Sequence, residues 1–334
     1  MTKRISIWLL AILFLTTVSI VQGQEPKKVP RIGYLSAGSP STNLGYREAF
    51  LLGLRELGYV EGKNIVIEYR WAEGKFERMP KLAEELVRLK VDIILAPTSA
   101  LARAAKKATT AIPIVMTNAG NPFGDGLIAS LARPGGNVTG LTNLSPELSG
   151  KRLELLKEIL PKLVRVAVLP GPKRSGEERI DLRMDLKEMQ AAAPSLKLHL
   201  QVLEVRTADD FERAFEDAAK ARAGALAVTS EPSGLLLANR KQIIELAGKN
   251  RLPAIYPQFS YANAGGLMSY SANEAEMYRR AATYVDKILK GAKPTDLPVE
   301  QPAKFEFIIN LKAAKQIGLT IPPNVLALAD KVIK

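Results

Sequence analysis

His199 is the single histidine of the chain, and cysteine is absent. Those two counts remove whole classes of chemistry. A zinc site needs several His or Cys ligands, a thiol nucleophile needs the thiol, and a Ser-His-Asp triad would need His199 with a G-x-S-x-G elbow that the sequence lacks. His199 alternates with Leu198 and Leu200, the pattern of a strand with one wet face, and reads as an ordinary surface or satisfied histidine. Three glycine motifs remain. Gly58-Tyr59-Val60-Glu61-Gly62-Lys63-Asn64 lacks the spacing of a phosphate loop and precedes a strand, so it reads as a turn. Gly124-Asp125-Gly126-Leu127-Ile128-Ala129 follows a strand and is expected to open a helix, with Glu147 downstream, but a dinucleotide fingerprint belongs on the first strand and this one follows the fourth. It reads as a helix start with room for an anionic or polar group. Gly135-Gly136-Asn137 reads as a turn before a strand.

What is left is hydrogen bonding by mostly neutral groups. Ser36 and Ser39, Thr98 and Ser99, Asn118 and Asn121, Pro170, Thr229, Ser230 and Glu231, and Tyr256 with Phe259 each follow a short β-rich run. Each alone reads equally well as an N-cap or turn residue. Together, at successive strand ends, they describe a site for a small polar solute with an apolar or aromatic body.

The elements that must hold these residues alternate between β-branched runs and segments of period 3.6, the pattern of βαβ units around parallel sheets. Strands are expected at Arg31–Leu35, Asn64–Tyr69, Val91–Ala96, Ile114–Thr117 and Val138–Leu141, with helices near 43–57, 76–89, 99–109 and 124–132. In the second of these, Met79, Leu82, Ala83, Leu86 and Leu89 share one face, opposite Lys81, Glu84, Glu85 and Arg88. The pattern restarts with strands near 164–169, 198–205, 224–229, 253–256 and 266–270 and helices near 147–160, 181–193, 208–222, 234–249 and 273–290. Between the halves, Ser145 and Pro146 read as N-cap and N1 of a helix. After the linker Lys293 to Pro298, a strand at Phe305–Asn310 and two short helices make a tail that a doubly wound lobe does not need, and it is expected to cross between lobes.

Lys3 and Arg4 followed by the apolar run Ile5 to Ile20 read as an export signal cleaved after Gly23, the alternative being an uncleaved anchor. Without cysteine the protein is neither an acylated lipoprotein nor disulfide-stapled. The 334 residues less these 23 leave 311, more than one core usually serves, so two α/β domains are expected. The formal charge is +13, or +11 without Lys3 and Arg4, yet Lys and Arg are dispersed among Asp and Glu, as in Glu84 to Arg88, and nucleic acid is not expected as a partner.

Several blocks, in order, resemble one family: Pro30 to Leu35, Gly45 to Phe50 with Gly53 to Tyr59, Glu61 to Asn64, Glu68 to Gly74, Gly124 to Leu127 with Ser130 to Gly140, and Ile309 to Ala314 with Gly318 to Pro322. The Arg133-Pro134-Gly135-Gly136-Asn137 run is the most specific of them. They are similar to the substrate-binding proteins of ABC transporters, in the family that includes tryptophan- and tyrosine-binding members. The resemblance implies a type I periplasmic-binding fold: two doubly wound parallel-sheet α/β lobes, 24–143 plus about 267–296 and 144–266 plus about 297–334, joined by a multi-segment hinge. Hinge segments are expected near Asn143, Leu267–Tyr270 and Leu297–Lys304. It further implies a periplasmic, monomeric protein without cofactor or enzymatic activity that hands a solute to a membrane permease and its ATPase. Pro170-Gly171-Pro172-Lys173-Arg174-Ser175 departs from the Asn and Ser common at that loop, so tryptophan specificity is not carried over.

The solute expected from the residues is a small aromatic or branched amino acid or a related carboxylate. The loops 36–39, 97–100 and 117–121 hold neither the aromatics nor the charged planar groups of sugar sites. A carboxylate would accept bonds at the helix starts near Ser99 and Asn121, and Glu231 would pair an amine or else cap its helix. Alternatives are a sensor subunit for a membrane receptor, and a periplasmic enzyme using Asp125 or Glu231 as base, for which no partner group is evident.

Overall fold

The computed structural model describes residues 28–143, 146–171, 184–230 and 235–334. The expected export signal, Ser145, residues 172–175 and Glu231 lie outside the described residues.

The first half runs β1 (Arg31–Ser36), α1 (Leu44–Glu56), β2 (Val66–Trp71), α2 (Met79–Arg88), β3 (Ile93–Leu95), α3 (Ser99–Ala108), β4 (Ile114–Ala119) and β5 (Val138–Thr142). Its sheet is wholly parallel, in the order β2-β1-β3-β4-β5. Every residue of β3, β4 and β5 is buried, as expected where helices cover both faces. On α2 the stripe Met79, Leu82, Ala83 and Leu86 is buried, at the spacing that puts four residues on one face. The strand order reverses between β1 and β3, and such a switch opens a crevice beyond the strands' carboxyl ends.

The expected helix over 124–132 is absent. Gly126 takes φ +68, the Asn121 side chain accepts from the Gly124 amide, and Lys106 donates to the carbonyls of Gly126 and Leu127. Local side-chain bonding and one left-handed residue hold the backbone in turns, although Leu127 and Ile128 are still buried in the core.

The second half runs α4 (Ser149–Ile159), β6 (Arg165–Leu169), α5 (Met184–Ala192), β7 (His199–Val202), α6 (Phe211–Lys220), β8 (Ala225–Val228), α7 (Leu235–Ala238), α8 (Arg240–Lys249), β9 (Ala254–Tyr256), α9 (Phe259–Asn263) and β10 (Met268–Ala272). There follow α10 (Glu274–Leu289), β11 (Phe305–Asn310), α11 (Leu311–Gln316), α12 (Pro323–Leu326) and β12 (Lys331–Ile333). The sheet order is β12-β11-β10-β9-β8-β6-β7. All neighbours are parallel except β10 and β11. His199 is exposed at the amino-terminal end of the edge strand β7, away from the strands' carboxyl ends.

The chain passes between the sheets three times. It leaves the first after β5. It returns after β10, because α10 packs on α1 and β4 and places Met277, Tyr278, Ala281 and Val285 in the first-lobe core. It leaves again after Glu300, whose amide bonds the Gly140 carbonyl and whose carbonyl accepts from Thr142. The segment 267–296, expected whole in the first lobe, is therefore divided: β10 belongs to the second sheet and α10 packs on the first. The crossing lies after Ala272, not within 267–270, where β10 pairs on both sides.

Gly53 permits the close approach of α1 and α10, since a Cβ there would lie 2.3 Å from the Arg279 carbonyl oxygen and 2.9 Å from the Ala282 Cβ. Gly53→Ala improves helix propensity but overpacks this contact, and is expected to lower stability by about 1–3 kcal/mol. Urea denaturation checks this. An unchanged or raised midpoint would show that the two helices do not meet there.

Candidate functional site

The loops after β1, β3, β4, β5, β8 and β9 converge on one cleft between the lobes, with two adjoining cavities. The first is lined from the first lobe by Thr98, Ser99, Asn118 and Asn121 and from the second by Thr229 and Ser230. Its apolar wall is Phe76, Met184, Leu236, Leu237, Pro257 and Tyr261. The second holds Ser36, Ser39, Tyr46, Arg240, Ser260 and Glu274. Ala37, Phe76, Thr98, Asn118, Leu237 and Gln258 line both.

On the first-lobe side the polar groups are set by strand ends and one helix start. Thr98 is the N-cap of α3, its hydroxyl accepting from the Leu101 amide at 3.5 Å. Ser99, in the first turn, is buried, and its Oγ has no hydrogen-bond partner among the described residues. The first turn of α3 carries no acidic side chain, so its amides and dipole stay available to an anion. Asn118, at the end of β4, accepts from Asn143 Nδ2 at 2.7 Å and bonds the Glu274 carboxylate. Asn121 Nδ2 reaches across the cleft to the Met184 thioether.

On the second-lobe side a buried ion pair underlies the wall. Arg152, 0% exposed, donates from Nε to the Tyr270 carbonyl at 2.9 Å, and its Nη1 lies 3.6 Å from Asp185 Oδ2. Asp185 accepts from the Ser230 amide at 3.1 Å and from the Ser230 hydroxyl. Burial pushes the Asp185 carboxyl up, opposed by Arg152 and the Ser230 bonds. It pushes the guanidinium down to about 10, where it stays protonated at neutral pH. The pair thus holds Ser230 in place at the cleft's edge.

Glu274 differs. It opens α10 at 4% exposure, takes hydrogen bonds from the Tyr46 hydroxyl and the Asn118 amide, and has no ion-pair partner among the described residues. Burial raises its pKa, the Tyr46 and Asn118 bonds opposing.

Of the residues expected from sequence, Ser36, Ser39, Thr98, Ser99, Asn118, Asn121, Thr229 and Ser230 line the two cavities. Ser39 is engaged in a local turn with Ser41 and Thr42. Three others lie elsewhere. Pro170 is buried outside the cavity walls. Tyr256 and Tyr261 stack on each other at 4.8 Å in the second-lobe core, each 1% exposed, and of the two only Tyr261 lines the cavity. Phe259 packs with Ala262 and Ile308. Residues the sequence reading passed over include Asp185, Glu274, Arg240, Tyr46 and the apolar wall. A signal for two of them was present: Glu274 begins the stripe Glu274, Met277, Tyr278, Ala281, and Asp185 shares a face with Met189, so each is a charge on an apolar stripe.

The comparisons agree with this architecture. A family model described as ABC transporter substrate binding protein matches residues 40–333. The chain is 28% identical over 277 residues to the tyrosine-binding protein of Clostridioides difficile (strain R20291), which is 82% of this chain and 76% of that protein. It superposes with a TM-score of 0.81 on a conserved domain protein from Vibrio cholerae, at 27% identity over 91% of this chain and 100% of that one. Its fold also matches an ABC domain from Streptococcus pneumonia in complex with L-Trp, with a TM-score of 0.80 and 24% identity over 91% and 99% of the two chains.

A raised folded-state pKa means that protonation of Glu274 favours the folded state: its contribution is present below the unfolded carboxylate value and is lost as pH rises through the folded one. Glu274→Gln, which keeps an acceptor for Tyr46 and Asn118, is therefore expected to melt higher than wild type at pH 7 when no solute is bound. The gap should narrow as pH falls towards about 4. Thermal unfolding across that range checks it, and a variant that melts lower at pH 7 would contradict an uncompensated buried charge.

Proposed function

The chain belongs to the ABC transporter substrate-binding protein family, and from that premise we propose that it captures an aromatic amino acid, or a closely related carboxylate, in the interlobe cleft outside the cytoplasm and delivers it to a permease with its ATPase. The observation that carries the reading is the pairing of two unlike walls. On one side, the start of α3, which carries no acidic side chain, offers the amides that Thr98 does not cap and the Ser99 hydroxyl, unpartnered among the described residues, a set that suits a carboxylate. On the other, Leu236, Leu237 and Tyr261 offer an apolar and partly aromatic surface of the kind that covers a ring, continued on the first lobe by Phe76. The likeness to a tyrosine-binding protein supports the aromatic member of the class. Residues 1–23 are proposed to serve as the cleaved export signal.

Binding here is selection by shape and hydrogen bonding. A polar group buried in the closed cleft must find a partner, and each bond left unmade costs more than it would in water. The orphaned Ser99 hydroxyl gains a partner from the solute, while the solute's body displaces water from the apolar wall. The three crossings, after β5, after β10 and after Glu300, serve as the hinge about which the lobes move.

L-Tyrosine or L-tryptophan at 100 times its dissociation constant is expected to add roughly 2.7 kcal/mol to stability, read as a thermal shift absent with sugars and nucleosides. Ser99→Ala and Asn118→Ala should each weaken binding by about 0.5–1.5 kcal/mol, more if a charged group is lost, with melting temperatures little changed. Stabilisation by a sugar or nucleoside and by no carboxylate would overturn the assignment. Closure has its own readout: small-angle scattering with saturating solute should give a smaller radius of gyration than the free protein, and an unchanged radius with binding established would rule out hinge motion.

A further inference from the structure

The second cavity holds two groups of opposite charge on opposite lobes, and neither has an ion-pair partner among the described residues. Glu274, on the first lobe, is buried with only the Tyr46 hydroxyl and the Asn118 amide against it. Arg240, the first residue of α8 in the second lobe, gives one Nη1 bond to the Leu237 carbonyl at 3.0 Å, and its Nε is buried without a hydrogen-bond partner among the described residues. The Ser260 hydroxyl on the same wall is likewise buried and unpartnered. Tyr46 links the two charges, since the hydroxyl that bonds Glu274 also feels the positive charge of Arg240. Elsewhere in the cleft the chain neutralises its buried charges: Asp185 meets Arg152, and Asp125 meets Arg103 at 3.2 Å. An isolated buried charge is costly unless a ligand completes it.

We propose that this second cavity is a head-group pocket for a zwitterion, in which Glu274 binds the α-ammonium of the solute and Arg240 binds its α-carboxylate from the other lobe, beside the start of α3. The inference rests on the amino-acid reading of the cleft and extends it. The side chain then lies in the first cavity, which adjoins through Ala37, Phe76 and Thr98. Thr98, which lines both, stands where the backbone of such a solute passes into its side chain. Because the two charges sit on different lobes, one solute satisfies both only when the lobes are together. A cation alone would leave Arg240 unpaired, and an anion alone would leave Glu274 unpaired.

Isothermal titration of the exported, full-length mature protein tests this with three probes sharing one ring: L-tyrosine, its deaminated acid 3-(4-hydroxyphenyl)propionate, and its decarboxylated amine tyramine. The tryptophan series serves as a second set. Wild type should bind the amino acid at least about tenfold tighter than either trimmed probe, as expected where a buried charged partner is left unpaired. Glu274→Gln should lose at least about tenfold for the amino acid while its affinity for the deaminated acid changes little. Arg240→Gln should lose a similar factor for the amino acid and little for the amine, and Arg240→Lys should recover part of it. Either variant alone decides the point, so a folding failure in one leaves the other. If both variants bind the amino acid within about twofold of wild type while Ser99→Ala is weakened, the head-group pocket is refuted and the cleft reading stands. If wild type prefers a non-aromatic amino acid and both variants lose it, the head-group pocket stands and the aromatic reading falls. A wild type that binds no amino acid overturns both.

Discussion

Burial of α10 in the first-lobe core is the contact on which the rest of the architecture depends. The helix follows β10, a strand of the second sheet, yet Met277, Tyr278, Ala281, Ala282 and Val285 are buried with Phe50, Leu54 and Ile32 of the first lobe. Removing that apolar face from water is worth several kcal/mol at roughly 25 cal/mol per Å², and the chain obtains it only by crossing the cleft. That crossing commits the chain to a return, which Val299 and Glu300 make along β5 and Leu131 before β11 enters the second sheet. The reversed direction of β11 beside β10 is a consequence of that detour.

The same helix brings chemistry to the cleft. Its N-cap Asn273 accepts from the Glu276 amide at 2.9 Å, which fixes the first turn and with it the direction of Glu274. A carboxylate at a helix start is favoured by the dipole, but burial opposes it, and for Glu274 burial is the larger effect. The stacked pair Tyr46 and Tyr278, 5.0 Å between ring centroids, closes the pocket from the α1 side. Gly53 lets α1 come near enough for this. Packing and binding geometry are set by one helix pair.

The lobes were legible in the sequence because their central strands are buried apolar runs, as in β3, β4, β6 and β8, and covering helices carry clean stripes, as on α2 and on α6 with Phe211, Ala214, Phe215 and Ala218. The neutral half of the cleft was legible for a related reason: hydroxyl and amide residues directly after strands mark the ends that face the crevice, and Ser36, Thr98, Ser99, Asn118, Thr229 and Ser230 all line it. What escaped was whatever depends on the partner element. Residues 124–132 have helical periodicity, but Asn121 and Gly126 impose turns. Tyr256 and Tyr261 are equally aromatic, close in sequence and both in the core, and only the packing of α9 decides which of them also lines the cleft. Division of 267–296 between lobes turns on the face of α10, whose stripe would suit either sheet.

Charged residues on apolar stripes carried information that hydropathy alone discards. Arg152 falls between Ser149 and Leu156 on the buried face of α4, Asp185 lies on the buried face of α5, and Glu274 heads that of α10. Two of the three meet each other, so their desolvation is offset within the protein. The third is left with a phenol and an amide, neither of which cancels a charge. Solute binding can draw two lobes together only to the extent that the solute interacts better with the closed arrangement than with the open one. A group already neutralised within its own lobe gains little from closure, whereas a carboxylate and a guanidinium held on opposite lobes, each lacking a counter-charge among the described residues, gain most when one molecule spans both.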